Sequence, residues 1–285
     1  MNWLYDSAVV FASAVVLYLT LRKIKPLQIN DDYQNLTFYF YPGLAVLAYL
    51  LITHADFHIS LLEICFAATA AVLTWFGNIY MLKSLKTAPN PGYTLLIAKS
   101  YAVMTTLFAL FIFHSSLTLK SILGTLIVVI FSIFIFHKNV SKLEISTGSR
   151  WLGCAFVTFL AWGFAALALA YFKFSTVSSM VLFFYVALFY SAIIAVEMMI
   201  KKTPISVFKT GFSWMMLISA STLMLNLFTI IGYKNAPNPG YIDAVNASSV
   251  AAIAALSALF FGDELPFRKF VGVVGVLSGL VLLLI

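Results

Sequence analysis

A lysine, three asparagines and two aspartates stand inside stretches that are otherwise apolar, and they define the chemistry open to this chain. Lys99 lies six residues past Tyr93, about 9 Å into its stretch at a helical rise of about 1.5 Å per residue. An ionisable group at that depth in a membrane marks a functional position. It can bind an anionic or carboxylate substrate, or lead its long stem back to the nearer interface. Asp243 sits just inside a later stretch, with Asn246 three residues on and so on the same helix face. Asp243 is a candidate for a coupling proton or a cation, or simply a favourable charge at a helix N-terminus. Asp6, near the start of the first stretch, offers the same choice. Asn78 and Asn226 can donate and accept hydrogen bonds to a polar substrate, or join helices at roughly 1 kcal/mol per bond. Thr74 shares a face with Asn78, and Trp75 stands beside them. Ser219, Thr222, Asn226 and Thr229 form a second polar face at helical spacing. Trp162, four residues after Thr158, can supply an aromatic wall.

Other polar residues point to blander roles. Glu197 precedes Lys201 by four residues, the spacing of a helical ion pair, and Glu264 pairs with Arg268 in the same way. His54, His58 and Glu63 could form a metal clip only if their short connection were ordered around an ion, so no metal is expected there. There is no Gly-rich phosphate loop, no Gly-x-Ser-x-Gly elbow and no Cys/His ligand cluster. The sequence therefore gives no catalytic set and implies no cofactor, and an enzyme is not expected.

The elements that hold these residues follow from hydropathy. The chain has 285 residues, 62% hydrophobic and 9% charged, with a mean hydropathy of +1.01. A soluble domain carries about a quarter charged residues, so the expected class is an all-α membrane protein. Apolar stretches near 3–21, 36–53, 61–82, 93–113, 118–136, 151–172, 176–200, 212–232, 241–261 and 267–285 are each long enough for a spanning helix. Polar connections of note run from Arg22 to Asn35 and from His137 to Arg150. Cys65 and Cys154 fall inside apolar stretches and read as buried small hydrophobes rather than a disulfide. Gly275 with Gly279, and Ser121 with Thr125, are small-residue pairs that permit close helix approach. The N-terminus has no basic segment or cleavage site, so it reads as a retained first helix.

The hexapeptide Ala88-Pro89-Asn90-Pro91-Gly92-Tyr93 returns unchanged as Ala236-Pro237-Asn238-Pro239-Gly240-Tyr241, an offset of 148 residues. The same offset links Thr74 to Thr222, Asn78 to Asn226, Lys86 to Lys234 and Trp3-Leu4 to Trp151-Leu152. A constant offset over that length means an internal duplication. The expected organisation is a five-helix repeat at 1–137, an inter-repeat loop at 138–150 and a second repeat at 151–285. Five helices per repeat make the second repeat enter the membrane from the opposite side. The fold expected is therefore ten transmembrane helices in two inverted five-helix repeats, as in many alternating-access transporters. Thirteen of the 17 Lys and Arg residues fall in connections after odd-numbered helices, and only Lys120, Lys173 and Lys234 on the other side. The positive-inside rule then puts both termini outside the cytoplasm.

The stretch Phe261-Gly262-Asp263-Glu264-Leu265-Pro266-Phe267-Arg268-Lys269-Phe270-Val271-Gly272, followed by Gly275, Ser278 and Gly279, resembles the end of an EamA-type repeat. Tyr233-Lys234-Asn235-Ala236-Pro237, echoed by Lys86-Thr87-Ala88-Pro89, resembles that repeat's turn between helices three and four. The chain thus resembles a two-repeat member of the drug/metabolite transporter superfamily over essentially its whole length. His114-Ser115-Ser116-Leu117 departs from the acidic turn of the second repeat. The resemblance implies a ten-helix carrier with cytoplasmic termini and a cavity lined by helices one, three, four, six, eight and nine. The expected function is secondary transport of a small polar metabolite such as an amino acid, as exporter or exchanger, across a plasma or inner membrane. Its partners would be that substrate, the lipid bilayer and a coupled proton or counter-substrate, with no nucleic acid and a monomer favoured. Substrate would meet Asn78, Asn226, Lys99, Trp75, Thr74, Thr222, Trp162 and Asn246, with Asp243 and Asp6 for coupling. The alternative function is a membrane assembly subunit without transport.

Overall fold

The computed structural model describes residues 2–87, 91–114, 118–136, 150–203, 211–261 and 267–284. Residues 88–90, 115–117, 137–149, 204–210 and 262–266 lie outside them, and with them the expected acidic turn and nearly all of the expected inter-repeat loop. The described residues are all-α. Twelve helical segments run α1 (Asn2–Ile24), α2 (Asp31–Thr37), α3 (Phe40–Ile52), α4 (Leu61–Thr87), α5 (Pro91–Lys99), α6 (Tyr101–Phe113), α7 (Leu119–Phe136), α8 (Arg150–Ala170), α9 (Ser179–Lys201), α10 (Phe212–Asn235), α11 (Pro239–Phe261) and α12 (Phe267–Leu284). The pairs α2/α3 and α5/α6 are each one rod interrupted once, so the ten expected stretches correspond to ten rods. Among the described residues, seven rods, α2/α3 included, have spans of 22 to 25 residues long and apolar enough to cross a membrane. The chain is a multi-pass, all-helical membrane protein.

Boundaries differ from hydropathy where capping intervenes. The second rod starts at Asp31, not 36, because the Asn30 side chain accepts from the Asp32 and Tyr33 amides and draws a polar turn into helix. It breaks at Phe38 and Tyr39 because Pro42 has no N–H for the Phe38 carbonyl and its ring crowds that group. The third rod runs on to Thr87, five residues past the expected end. Its start is a capping box. Ser60 Oγ accepts from the Glu63 amide, and Glu63 Oε2 accepts from the Ser60 amide at 2.8 Å. Cys65 is exposed on α4 rather than buried as expected, and both cysteines are free.

Two compact units form, and each draws on both halves of the chain. The first comprises Phe76–Leu167 and Ala236–Ile285, with residue 1. Within it α5 and α6 pack antiparallel to α11. Lys99 meets Asn246 and Ser249, Tyr101 meets Asp243, and Thr106 meets Asn238 and Gly240. Small buried residues recur along both helices, Ala98, Ala102 and Ala109 on α5/α6 and Ala244, Ala247 and Ala251 on α11, and Gly240 faces Thr106 directly. They let the backbones approach, which is what drives helix association where lipid removes the hydrophobic effect. A Cβ on Gly240 would stand 2.4 Å from the Thr106 Cα. The repeated motif is a docked cap here: Asn238 Oδ1 accepts from the Gly240 amide, and its Nδ2 donates to the Thr106 carbonyl. In the same unit α7 packs antiparallel to α12. Gly275 faces Phe131, and Gly279 faces Gly124, Ile127 and Val128. Gly124, not the Ser121/Thr125 pair, makes the close approach to Gly279.

The second unit comprises Asn2–Trp75 and Ala168–Asn235. Its centre holds Tyr33, Tyr190, Phe172, Phe183, Met215 and Ile218, all fully buried. Here α2 and α3 cross α9 antiparallel: Asn35 Oδ1 accepts from Tyr190 OH at 2.6 Å, Tyr39 packs on Tyr190 and Phe183, and Gly43 faces Ala187. Glu63 also accepts from Ser175 Oγ, and Lys234 donates to the Ser175 and Val177 carbonyls. The connections after the second, sixth and eighth rods thus meet at one place. Lys201 pairs with Asp32 at 2.8 Å and with Glu197 at 2.7 Å, joining the connections on the Lys-rich side.

Candidate functional site

Five of the residues singled out from the sequence gather in the first unit. The rod carrying Lys99 tightens where that lysine sits: the Ser100 amide donates to the Ile97 carbonyl and the Val103 amide to the Ser100 carbonyl, both three residues back. Such a 3-10 step inside a helix recurs at functional positions. It turns Lys99 and Tyr101 toward α11. Lys99 is 3% exposed. Its Nζ donates to the Asn246 carbonyl (3.0 Å), to Asn246 Oδ1 (3.1 Å) and to Ser249 Oγ (2.8 Å). Those three acceptors match the three N–H bonds of an ammonium. The lysine therefore turns inward to α11 and does not snorkel outward.

Two residues along, Tyr101 OH donates to Asp243 Oδ1 at 3.4 Å. Asp243 is 2% exposed. Asn246 and Ser249 follow Asp243 by three and six residues, so the α11 partners of Lys99 and Tyr101 lie about 4.5 to 9 Å apart along the helix axis. The antiparallel crossing brings them to neighbouring levels. From Pro239 to Ala251 every residue of α11 is buried except Asn246. Asn246, which covers Lys99, is thus the one half-buried residue of that α11 segment.

Trp162 of α8 completes the group. Its Nε1 donates to Asn78 Oδ1 at 3.0 Å, and its ring meets Tyr101 edge-on at 6.4 Å. Gly77 makes room for it, since a Cβ there would stand 2.5 Å from Trp162 Cδ1. Thr158 Oγ1 donates to the Gly77 and Cys154 carbonyls and fixes the same contact. Asn78, Trp162, Tyr101, Asp243, Lys99, Asn246 and Ser249 thus form one continuous polar and aromatic cluster from α4, α5, α6, α8 and α11. Chemically it offers a buried lysine amine, a buried carboxyl group and a half-buried amide. Two of its members, Tyr101 and Ser249, were not singled out from the sequence. Ser249 lies three residues after Asn246, the spacing that already linked Asn246 to Asp243. Tyr101 carried no signal beyond its nearness to Lys99.

The remaining sequence candidates lie in the second unit. Asn226 Oδ1 accepts from Tyr39 OH at 3.0 Å, and its Nδ2 donates to the Thr222 carbonyl. Tyr39 also hydrogen-bonds the Thr74 side chain, so it joins the two polar faces. Its equivalent 148 residues on is Ala187, so the duplication gave no hint of it. Thr222 and Thr229 turn their hydroxyls onto carbonyls of their own helix, and Ser219 reaches the Thr37 carbonyl. Trp75 Nε1 donates to Glu197 Oε2 at 2.8 Å, so that indole belongs to the Lys201 cluster. Asp6 Oδ2 accepts from Asn235 Nδ2 at 2.8 Å and ties the start of α1 to the end of α10. Among the described residues no three His, Cys, Asp or Glu side chains gather into a metal-binding group. Glu63, the carboxylate of the conceivable metal clip, is engaged by Ser60 and Ser175.

No protein-family model matches the chain. No curated protein matches it either. A solved structure described only as "Crystal structure of protein" is similar over 99% of this chain and 97% of its own, with a TM-score of 0.78 and 14% sequence identity. At that identity the similarity shows a shared fold.

Proposed function

We propose that this protein is a secondary transporter of a small polar metabolite such as an amino acid, built as two inverted five-helix repeats of the drug/metabolite transporter type in a plasma or inner membrane. The observation that carries this reading is the position of Lys99. It lies buried where α5/α6 crosses α11, the fourth and ninth of the ten rods, which hold equivalent places in the two halves. The contacts between them centre near residues 98–99 and 246–247, which are 148 apart like the two hexapeptides. The α7/α12 crossing behaves alike, with Val128 and Val276 both buried at offset 148. So does the crossing of α3 by α9 near Tyr39 and Ala187. Antiparallel crossings at equivalent positions are what inversion of a repeat produces, and substrate sites in such carriers lie at the repeat interface near the midplane.

The cluster draws on the third, fourth, sixth and ninth rods, four of the six that line the cavity in the family the sequence resembles. A charge so placed in a membrane carries a cost of about 2.5–3.5 kcal/mol on insertion scales, and pure packing gives no return for it. Asn246, half-buried over the Lys99 amine, is where a polar substrate would enter. The driving force is a substrate or ion gradient.

The test is unfolding temperature of the detergent-purified protein over a panel of amino acids, nucleobases, sugar phosphates, nucleotide-sugars and quaternary amines, followed by flux into proteoliposomes. A ligand at 100 times its Kd raises stability by about 2.7 kcal/mol. One responding class, carried in a saturable way and lost in Lys99→Ala or Asn78→Ala with folding retained, supports the reading. Saturable flux unchanged in both variants would move the site elsewhere. A flat panel with no flux would favour an assembly subunit.

A further inference from the structure

We infer that α2 is a hinged half-helix, latched at the Lys-rich end by Lys201 and pivoting at Phe38–Tyr39, whose opening draws the Tyr39 hydroxyl off Asn226 and Thr74. The hinge stands on contacts within the second unit. Only its use as a gate rests on the transport reading above.

The pivot follows from the chain. Pro42 offers the Phe38 carbonyl no N–H. The rod turns there: the Tyr39 amide donates to the Leu36 carbonyl, three residues back, and regular helix resumes with the Gly43 amide on the Tyr39 carbonyl. Beyond the break α3 is fixed. A Cβ on Gly43 would stand 3.1 Å from Ala187 Cβ, and Val46 and Leu50 are buried. Before the break α2 has seven residues, too few to hold helical form without partners. Its partners include the Asn30 cap, Tyr190 OH on Asn35 and Ser219 Oγ on the Thr37 carbonyl. At the outer end Asp32 accepts from Lys201 Nζ at 2.8 Å and from Thr203 Oγ1 at 3.2 Å. Lys201 is shared with Glu197, whose other oxygen accepts from Trp75 Nε1. The latch thus joins α2 to the end of α9 and, through Glu197, to α4. Its ion pair is open to solvent, with the Lys201 side chain 48% and the Asp32 side chain 19% exposed.

The repeat carries this device in one half. The segment 148 residues past α2 and Pro42 is 179–190, which lies inside the unbroken α9, with Tyr190 in the place of Pro42. Asp32 and Lys201 correspond to Met180 and Thr53, which bring no charge. Pivot and latch therefore occur together and are absent together. Tyr39, at the pivot, is the residue that joins the two polar faces: its hydroxyl donates to Asn226 Oδ1 at 3.0 Å and hydrogen-bonds Thr74. A bond of that length is lost beyond about 3.5 Å, so a displacement of under about 1 Å releases Asn226. Asp32 stands seven residues before Tyr39, about 10 Å along the helix, so an ion pair at the surface controls a contact deeper in the unit.

Hydrogen exchange of the whole protein in detergent micelles tests the hinge, in wild type, Lys201→Met and Pro42→Ala. Exchange through local opening reports how often a segment leaves its partners. Raising salt from about 0.1 M to about 1 M shortens the reach of exposed charges from about 10 Å to about 3 Å. In wild type this should speed exchange over residues 31–37 by about threefold, as expected of a partly exposed pair. Lys201→Met should do the same at low salt and abolish the salt effect, with α3 and α9 unchanged. Pro42→Ala gives the Phe38 carbonyl its N–H and makes the rod continuous. It should slow exchange over 31–37 below wild type, and lower flux of the panel compounds per folded carrier by about tenfold. Exchange over 31–37 unmoved by Lys201→Met, or raised equally across α3 and α9, overturns the latch. Exchange unmoved by Pro42→Ala overturns the pivot. Flux unchanged in Pro42→Ala refutes the gate and leaves the transport reading standing. No wild-type flux of any panel compound counts against the transport reading, and the exchange rates still decide the hinge.

Discussion

Replacing Lys99 by Met separates a functional lysine from a structural one, because the two predict different signs for stability. Methionine keeps the length and apolar stem and removes the charge. Removing the ammonium recovers the insertion cost of a charge at a helix centre, about 2.5–3.5 kcal/mol. Against this stand three lost hydrogen bonds, each worth about 0.6 kcal/mol in membrane proteins, so about 2 kcal/mol in all. The acceptors left behind are not stranded. Ser249 Oγ keeps its bond to the Asn246 carbonyl, and Asn246 Oδ1 lies on the accessible residue of that segment. Stability should therefore change by less than about 1 kcal/mol or rise slightly, as replacement of buried charge by a hydrophobe of similar volume often allows. Flux per folded carrier should fall at least a hundredfold. Denaturant titration in mixed micelles gives the first quantity, and initial rates in proteoliposomes normalised to folded protein give the second. A loss of more than about 3 kcal/mol with flux per folded carrier near wild type would refute the reasoning, because Lys99 would then be holding α11 in place and nothing more.

Gly279→Leu should destabilise by about 1–3 kcal/mol, since its Cβ would meet the Val128 amide nitrogen at 2.8 Å and the Gly124 carbonyl at 2.9 Å. Gly153→Ala, with no heavy atom within 4 Å of the new methyl, should be neutral or stabilising by up to about 1 kcal/mol; thermal unfolding of the two variants side by side checks the contrast. Asn226→Ala removes the bond from Tyr39 and should cost about 1 kcal/mol while lowering flux tenfold or more, and unchanged flux would leave Asn226 as a link between helices. A C-terminal fluorescent fusion that matures only in the cytoplasm should be dark and an alkaline phosphatase fusion active, as the Lys and Arg distribution requires, and a bright fusion would sink that orientation.

What could be read from the chain divides along a physical line. Long apolar helices announce themselves by hydropathy, and among the described residues the seven of spanning length and the three shorter ones all fall on apolar stretches of the sequence. Their ends were less legible, because Asn30 and the Ser60–Glu63 box set them through hydrogen bonds to backbone amides that hydropathy does not weigh. The duplication told which helices are equivalent, and the antiparallel crossings fall on the equivalent positions. It could not tell which side chains break the symmetry. Lys99 corresponds to Ala247 and Asn246 to Ala98, so the polar contact at the crossing exists in one copy only. Asn78 and Asn226 do correspond, yet one accepts from a tryptophan and the other from a tyrosine. A duplicated chain that kept its symmetry would carry the same group on both sides of the crossing, and two lysines there would repel. The crossing instead sets a lysine of one half against an amide and a carboxyl of the other.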